Sequence, residues 1–179
     1  MPKRLWLEIQ LLRRSRRDQK ARTKWLAHTA DPELARRVHE VDVANTKWIQ
    51  SVVDQHGWPG RDLVGIPGSD AAWLLVQHAD HDRAFQRQCL ALLHEAVEAG
   101  QASPAHLAYL DDRLRVADGR PQVFGTQFQR VSGELVPYPI EDTVHVDERR
   151  RAIGLQPLDQ YAAGMRQMHA PNEKPPPVQ

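Results

Sequence analysis

The sequence AAWLLVQH at residues 71–78 is apolar on almost every side of a helix. A helix of this kind is stable only when other elements bury it, so it must lie near the centre of the core. Polar groups appear only at its end, as Gln77 and His78. The rest of the chain must therefore supply helices or strands that surround it.

Helical patterns precede this stretch. Residues 4–27 contain no Gly or Pro and repeat apolar side chains at helical spacing, which predicts a first long helix. Apolar residues at helical spacing also follow Asp31 and Pro32, which are suited to be an N-cap and a first-turn proline. They predict a second long helix that ends before Gly57. Residues 57–68 hold four Gly and two Pro, which predicts an ordered loop without regular structure, and Ser69 and Asp70 are the caps expected for the central helix.

Further helices and one hairpin follow the central stretch. We predict a helix that begins near Arg83 with Asp80 and Asp82 as N-caps, and another that begins at Pro104. Two short helices follow: Asp147 is expected to cap the first, which ends at Gly154, and Pro157 begins the second. Apolar stretches flank a two-residue turn at residues 132–133, which indicates a β-hairpin. The predicted fold is mainly α: a single-domain helical bundle over residues 1–170, with one small β-hairpin at about residues 121–138 and a disordered Pro-rich tail at 171–179.

Length and composition exclude several classes of protein. A chain of 179 residues has the length of one domain. Its single cysteine, Cys89, excludes internal disulfides and a multi-cysteine zinc site, and its leucine-rich surroundings predict a buried, inert thiol. No apolar run is long enough for a membrane span, and residues 1–14 do not resemble a secretory signal, so we expect a cytoplasmic protein with no membrane partner.

Positive charge is concentrated at the start of the chain. Residues 1–24 carry nine Lys and Arg against two acids, whereas the remainder carries fifteen against twenty-one. A nucleic acid could bind such a face, but no known binding motif follows it. The pattern favours the solvated side of an amphipathic helix and disfavours a nucleic-acid partner.

Several polar residues occupy positions that the helical patterns turn inward, where a buried charge or amide must be paired or used. If the helices pack as a bundle with the hairpin across one end, these side chains could line one pocket. We predict catalytic roles for His78, Asp112 and Asp42. The predicted substrate-binding residues are Asp18, Arg22, Asn45, Trp73, Gln77, Tyr109, Arg113, Gln122 and Gln127.

Each of these residues also has a purely structural explanation. Asp18 and Arg22 could form an ordinary ion pair on a helix surface, and His78 could be a satisfied core histidine. Asp112 with Arg113 could hold the hairpin in place. His78 and His81 are three residues apart at a helix end and match no standard metal spacing, so we predict no metal and no cofactor.

Four motifs occur in a specific order along the chain: HGWP at residues 56–59, AAWLLVQHAD at 71–80, HLAYLDDR at 106–113 and GRPQVFGTQ at 119–127. Together with segments at 18–22 and 146–155, they resemble a bacterial family of unknown function that is common in actinobacteria. Where that family usually has Tyr-Gly-Thr-Gln, this chain has Phe124, which implies that a phenol at this position is not essential here. The resemblance implies no reaction.

From the residues, we expect a small cofactor-independent enzyme, a hydrolase or lyase, that acts on a small polar or anionic molecule. His78 would serve as general base or acid, oriented by Asp112 or Asp42, and Arg22 or Arg113 would hold an anionic group. Hydrolysis, elimination or cyclisation would suit these groups. The resemblance to small actinobacterial proteins suggests a role in specialised metabolism. The alternative is a ligand-sensing or protein-binding module that uses the same pocket without turnover, and a homo-oligomer is left open.

Overall fold

A computed structural model describes residues 3–168, which form seven α-helices and one two-stranded antiparallel sheet. In chain order the elements are α1 (Lys3–Ala27), α2 (Pro32–His56), α3 (Arg61–Gln77), α4 (Arg83–Glu98), α5 (Pro104–Ala117), β1 (Phe128–Val131), β2 (Glu134–Pro137), α6 (Val146–Ala152) and α7 (Leu158–Met168). The mainly helical class and the single hairpin are confirmed. The predicted tail at 171–179 lies outside the described residues.

The first three helices pack against one another and build the core around the central stretch. Helix α1 lies against α3 and α2, and α3 also contacts α4 and α5. Leu11 of α1, Ile49 of α2 and Leu75 of α3 are almost completely buried together. The capping prediction for α2 is confirmed, because the Asp31 carboxylate accepts hydrogen bonds from the N–H groups of the first turn.

The prediction of an irregular loop at residues 57–68 is wrong beyond residue 60. The chain enters α3 at Arg61, forms one turn, and kinks at Gly65, whose φ of 70° suits glycine. Pro67 follows the kink, where a first-turn proline needs no N–H partner, and the helix then continues to Gln77. Ser69 is therefore a buried residue inside α3 and not its N-cap.

Of the two predicted N-caps of α4, Asp82 is confirmed and Asp80 is wrong. Asp82 is the N-cap, and its carboxylate accepts a hydrogen bond from the N–H of Phe85. Asp80 caps nothing; its carboxylate instead binds Arg113 of α5 and Arg83. The α3–α4 connection is thereby attached to α5.

The hairpin is shorter than predicted. β1 and β2 pair from Phe128 with Pro137 to Val131 with Glu134, around the expected turn at residues 132–133. Residues 123–127, expected as strand, form a loop wrapped around Asp112 instead. Backbone N–H groups that would extend a ladder are used by that carboxylate, so strand pairing begins only at residue 128.

Two further predictions concern side chains. Cys89 is buried in the core, and burial raises the pKa of its thiol to about 12, which agrees with an inert thiol. Asp147, expected to cap α6, lies inside that helix and accepts a hydrogen bond from the N–H of Leu158.

Within residues 3–168 no helix has the length and apolar character needed to cross a bilayer.

Candidate functional site

A carboxylate and an imidazole meet where α1 passes the end of α3. Both oxygens of Asp18 lie close to Nδ1 of His78, at 3.0 and 2.9 Å. Asp18 is 1% exposed and the His78 side chain 12% exposed, so water screens this contact poorly. Two acceptor oxygens facing one ring nitrogen favour a proton on Nδ1, which leaves Nε2 of the neutral ring as a proton acceptor.

Arg22 lies beside this pair and joins it to α2. Its Nη2 donates to Oδ1 of Asp42 at 2.6 Å, and its Nε lies 3.5 Å from Oδ2 of Asp18. The same Nε is 3.0 Å from Nδ1 of His78. Arg22 can donate to that nitrogen only when it carries no proton, so Asp18 and Arg22 favour opposite tautomers of His78. We call Asp18, Arg22, Asp42 and His78 the Asp18 cluster.

The two carboxylic acids of the Asp18 cluster are shifted in opposite directions. Burial raises the pKa of Asp18, but the hydrogen bond and charge of His78, with the charge of Arg22, outweigh burial and hold that pKa below its usual value. Burial raises the pKa of Asp42 to about 6, helped by the charge of Asp18 and opposed by Arg22 and His78. Such a difference between neighbouring acids is typical of sites that move protons.

The Asp18 cluster also has the spacing of metal ligands. One ligand atom each from Asp18, Asp42 and His78 lies within 4.8 Å of the other two. The guanidinium of Arg22, however, already contacts all three residues. A metal ion would have to displace this cation, so the geometry favours an arginine-centred cluster over a metal centre.

A second buried carboxylate, Asp112 of α5, organises the loop before the hairpin. It is 0% exposed and accepts hydrogen bonds from the backbone N–H groups of Val123, Phe124 and Thr126 and from the Thr126 hydroxyl. Burial raises the pKa of Asp112 above its usual value, although these hydrogen bonds act in the opposite direction. Both oxygens are occupied by the loop, so Asp112 has the contacts of a structural residue.

Arg113 extends this second set of contacts to the end of α3. Its guanidinium binds Asp80 through Nε and Nη2, at 2.7 and 2.9 Å, and Nη1 donates to Oε1 of Gln127 at 3.0 Å. The amide of Gln127 donates in turn to the hydroxyl of Thr126, which binds Asp112. We call Asp80, Asp112, Arg113, Thr126 and Gln127 the Asp112 cluster.

The other residues predicted at the site make separate contacts. Oδ1 of Asn45 on α2 accepts a hydrogen bond from Nη1 of Arg14 on α1. Trp73 stacks on His106, with ring centroids 4.0 Å apart, and makes an edge contact with Tyr109. Gln122 uses both ends of its amide to hold residues 127 and 138. Oε1 of Gln77 is buried without a hydrogen-bond partner among the described residues.

The structure therefore brings some of the predicted residues together in two clusters and leaves Asn45, Trp73, Gln77, Tyr109 and Gln122 outside both. Within residues 3–168, no hydrogen bond or ion pair connects the Asp18 cluster to the Asp112 cluster. The carboxylate at His78 is Asp18, which the sequence had assigned to substrate binding, and Asp112 does not contact His78. The sequence also missed Asp80, whose position two residues after His78 was interpreted only as a cap.

Comparison with known proteins identifies a family and no activity. A family model described as a family of unknown function (DUF6624) matches residues 7–170, which spans all seven helices and the hairpin apart from the first residues of α1. No curated protein and no solved structure matches the chain.

Proposed function

We propose that this chain, which belongs to the DUF6624 family of unknown function, is a small cytoplasmic enzyme that transfers protons on a small polar or anionic molecule through the Asp18 cluster. The proposal includes hydrolysis, elimination and cyclisation, each of which requires one proton to be removed and one returned. The observation that carries it is the contact of a buried Asp18 carboxylate with Nδ1 of His78 at 2.9 Å.

His78 is the proposed general base. A proton held on Nδ1 by Asp18 leaves the lone pair of Nε2 free to accept a proton from a substrate or from water. Among the described residues no hydrogen bond occupies Nε2, and the 12% exposure of the side chain gives a limited opening to solvent. Asp18 acts through His78: it fixes the tautomer and stabilises the imidazolium that forms.

Asp42 is the proposed second acid. A pKa of about 6 means that the carboxyl group exchanges its proton near neutral pH, as a group that returns a proton must. Arg22 keeps Asp42 beside His78 through the contact of 2.6 Å at Oδ1. The opposite pKa shifts of Asp18 and Asp42 give the two carboxylates different roles: Asp18 is ionised near neutral pH, whereas Asp42 titrates there.

The alternative is a ligand-sensing or protein-binding module that uses the same residues without turnover. Its support is that every charged group of the Asp18 cluster has a partner inside the cluster, so none of them has to exchange a proton. An enzyme needs a basic Nε2 on His78, whereas a binding module needs only the fixed contact at Nδ1.

The experiment compares turnover by wild type, His78→Gln and a control, His94→Gln, which changes an exposed histidine on α4. Each protein is incubated with a bacterial small-molecule extract, and consumption of metabolites is followed by mass spectrometry. We expect a metabolite that wild type and His94→Gln consume, with a rate at least about 100-fold lower for His78→Gln, the usual share of a general base. Equal rates for His78→Gln and wild type would contradict the proposal, and no consumption by any protein would favour the binding module.

A further inference from the structure

A groove runs along the seam between α1 and α2. It consists of two adjoining hollows of 240 and 220 Å³ that share Arg17 and Val41. Residues of both helices line it, and none of them belongs to the Asp18 or Asp112 cluster. The groove is therefore a feature separate from the proposed active site.

One wall of the groove is a row of cations on α1. Arg13, Arg17, Lys20 and Lys24 follow one another at intervals of four, three and four residues, which places them on one face of the helix. At 1.5 Å per residue the row is about 16 Å long. All four side chains are exposed, and within the described part of the chain none forms an ion pair.

The opposite wall does not neutralise this row. Glu40 is the one acidic residue among those lining the groove, and its carboxylate is paired with Arg36. Arg37, also in this wall, binds Glu33, which lies outside the groove. The positive charge of the α1 row is therefore left available for an external anion.

The floor of the groove contains further donors. Arg14 lies over the ring of Trp48 and donates to Asn45, which is 4% exposed. Because Oδ1 of Asn45 accepts this bond, its Nδ2 is fixed as the other end of the amide, and it is buried without a partner among the described residues. Nε of Arg14 is likewise buried without a hydrogen-bond partner among the described residues. Burial and the charge of Arg17 also lower the pKa of Arg14, as expected where positive charge is concentrated.

We propose that the α1–α2 groove binds the sugar–phosphate backbone of a single-stranded nucleic acid. A row about 16 Å long matches an extended chain with regularly spaced charges better than a compact anion. Adjacent cations on one helix face have Cβ atoms about 5–6 Å apart, so each can meet a separate phosphate of one strand. Leu34 and Val41 supply apolar surface for the sugars, and no exposed aromatic side chain lines the groove to read bases, so binding is expected to be independent of sequence.

The concentration of Lys and Arg in residues 1–24 does not by itself favour a nucleic-acid partner, because a basic helix face is usually only solvated. The structure adds the second helix, which converts that face into one wall of a groove. The inference does not depend on the proposed enzymatic function.

The test measures binding of a fluorescent oligothymidylate by anisotropy between about 50 mM and about 200 mM salt. The test variant is Arg17→Glu/Lys20→Glu. The control is Arg120→Glu/Arg151→Glu, which makes the same change in net charge at exposed positions outside the groove. With three or four phosphate contacts, log K for wild type should fall with log salt at a slope of about −2 to −3, since each contact on a single strand contributes about −0.7.

We expect the groove variant to lose at least about tenfold in affinity and its slope to become shallower by about 1.4, which corresponds to two lost contacts. The control should retain affinity within about threefold. If the groove variant does not fold, Arg17→Gln/Lys20→Gln carries the same test with a slope change of the same sign.

Three results would overturn the proposal: no binding by wild type at the lower salt concentration, an equal loss in the control, or equally tight binding of tripolyphosphate or poly-glutamate. The first would leave the groove without this ligand, the second would assign the effect to net charge, and the third would show that the phosphate backbone is not recognised.

Discussion

Asp18 and Asp112 are both buried aspartates, yet their partners differ in kind. Asp112 accepts hydrogen bonds from backbone N–H groups of Val123, Phe124 and Thr126, which cannot titrate or move without moving the loop. Asp18 instead contacts two ionisable side chains, those of His78 and Arg22. Both carboxylates are almost inaccessible to solvent, at 1% and 0% exposure.

The comparison shows that burial of a charge does not by itself indicate function. A carboxylate bound to backbone groups fixes a chain segment, whereas one bound to a titratable side chain controls where a proton resides. We therefore propose that the Asp112 cluster stabilises the fold and that the Asp18 cluster transfers protons. The following predictions test this division, starting with the largest effect.

Replacement of Asp112 should cause the greatest loss of stability. Asp112→Ala leaves three backbone N–H groups and the Thr126 hydroxyl without their acceptor in a buried position. We expect the free energy of unfolding to fall by about 4 kcal/mol, the range found when one partner of a buried charged contact is removed. Urea denaturation measures this change.

The matched control is the neighbouring residue on α5. Asp111 is only partly buried and its partner is Arg115, four residues on along the same helix. Asp111→Ala should cost less than about 1 kcal/mol, as for other partly exposed helix pairs. Equal losses for Asp111→Ala and Asp112→Ala would contradict the structural role assigned to Asp112.

The pH dependence of stability should report on Asp42. Its pKa of about 6 in the folded protein lies above the ordinary value of 3.8, so between these values the folded state binds more protons than the unfolded state. Stability from this group therefore falls as the pH rises through that window. On lowering the pH from about 7 to about 5, wild type should gain roughly 1 kcal/mol that Asp42→Asn does not gain.

Chemical denaturation at both pH values gives this difference, because the contributions of groups remote from Asp42 cancel between the two proteins. Asp54→Asn, which removes an exposed carboxylate from the same helix, is the control and should follow wild type. Parallel pH profiles for Asp42→Asn and wild type would show that Asp42 is not perturbed and would remove it as the second acid.

The sequence predicted the helices well because their signals are local. The apolar periodicity of α1 and α2, the cap at Asp31 and the turn at residues 132–133 each depend on a few neighbouring residues. The start of α3 was missed for the same reason: four glycines and two prolines indicate a loop, whereas the structure uses one glycine as a kink and one proline in a first turn.

The sites were harder to predict because they depend on distances between elements. Helical spacing correctly placed Asp18 and Arg22 on one side of α1, but nothing local shows that His78 meets Asp18 and not Asp112. The role of Asp80 is not visible in the sequence for a similar reason. An aspartate before a helix can be an N-cap or the partner of a distant arginine, and only the fold shows that Asp80 binds Arg113. Pairings across 33 or 60 positions of sequence become visible only when the fold is known.

The position of the proton on the neutral His78 ring distinguishes a base held by Asp18 from an acceptor of Arg22. Nitrogen-15 NMR of the ring, with His78→Gln to assign the signals, distinguishes a protonated Nδ1 from a protonated Nε2 in the neutral imidazole. We expect the proton on Nδ1, donated to Asp18, with Nε2 free to accept a proton. A neutral ring protonated on Nε2, with Nδ1 accepting a hydrogen bond from Nε of Arg22, would contradict the assignment of His78 as a base held in place by Asp18.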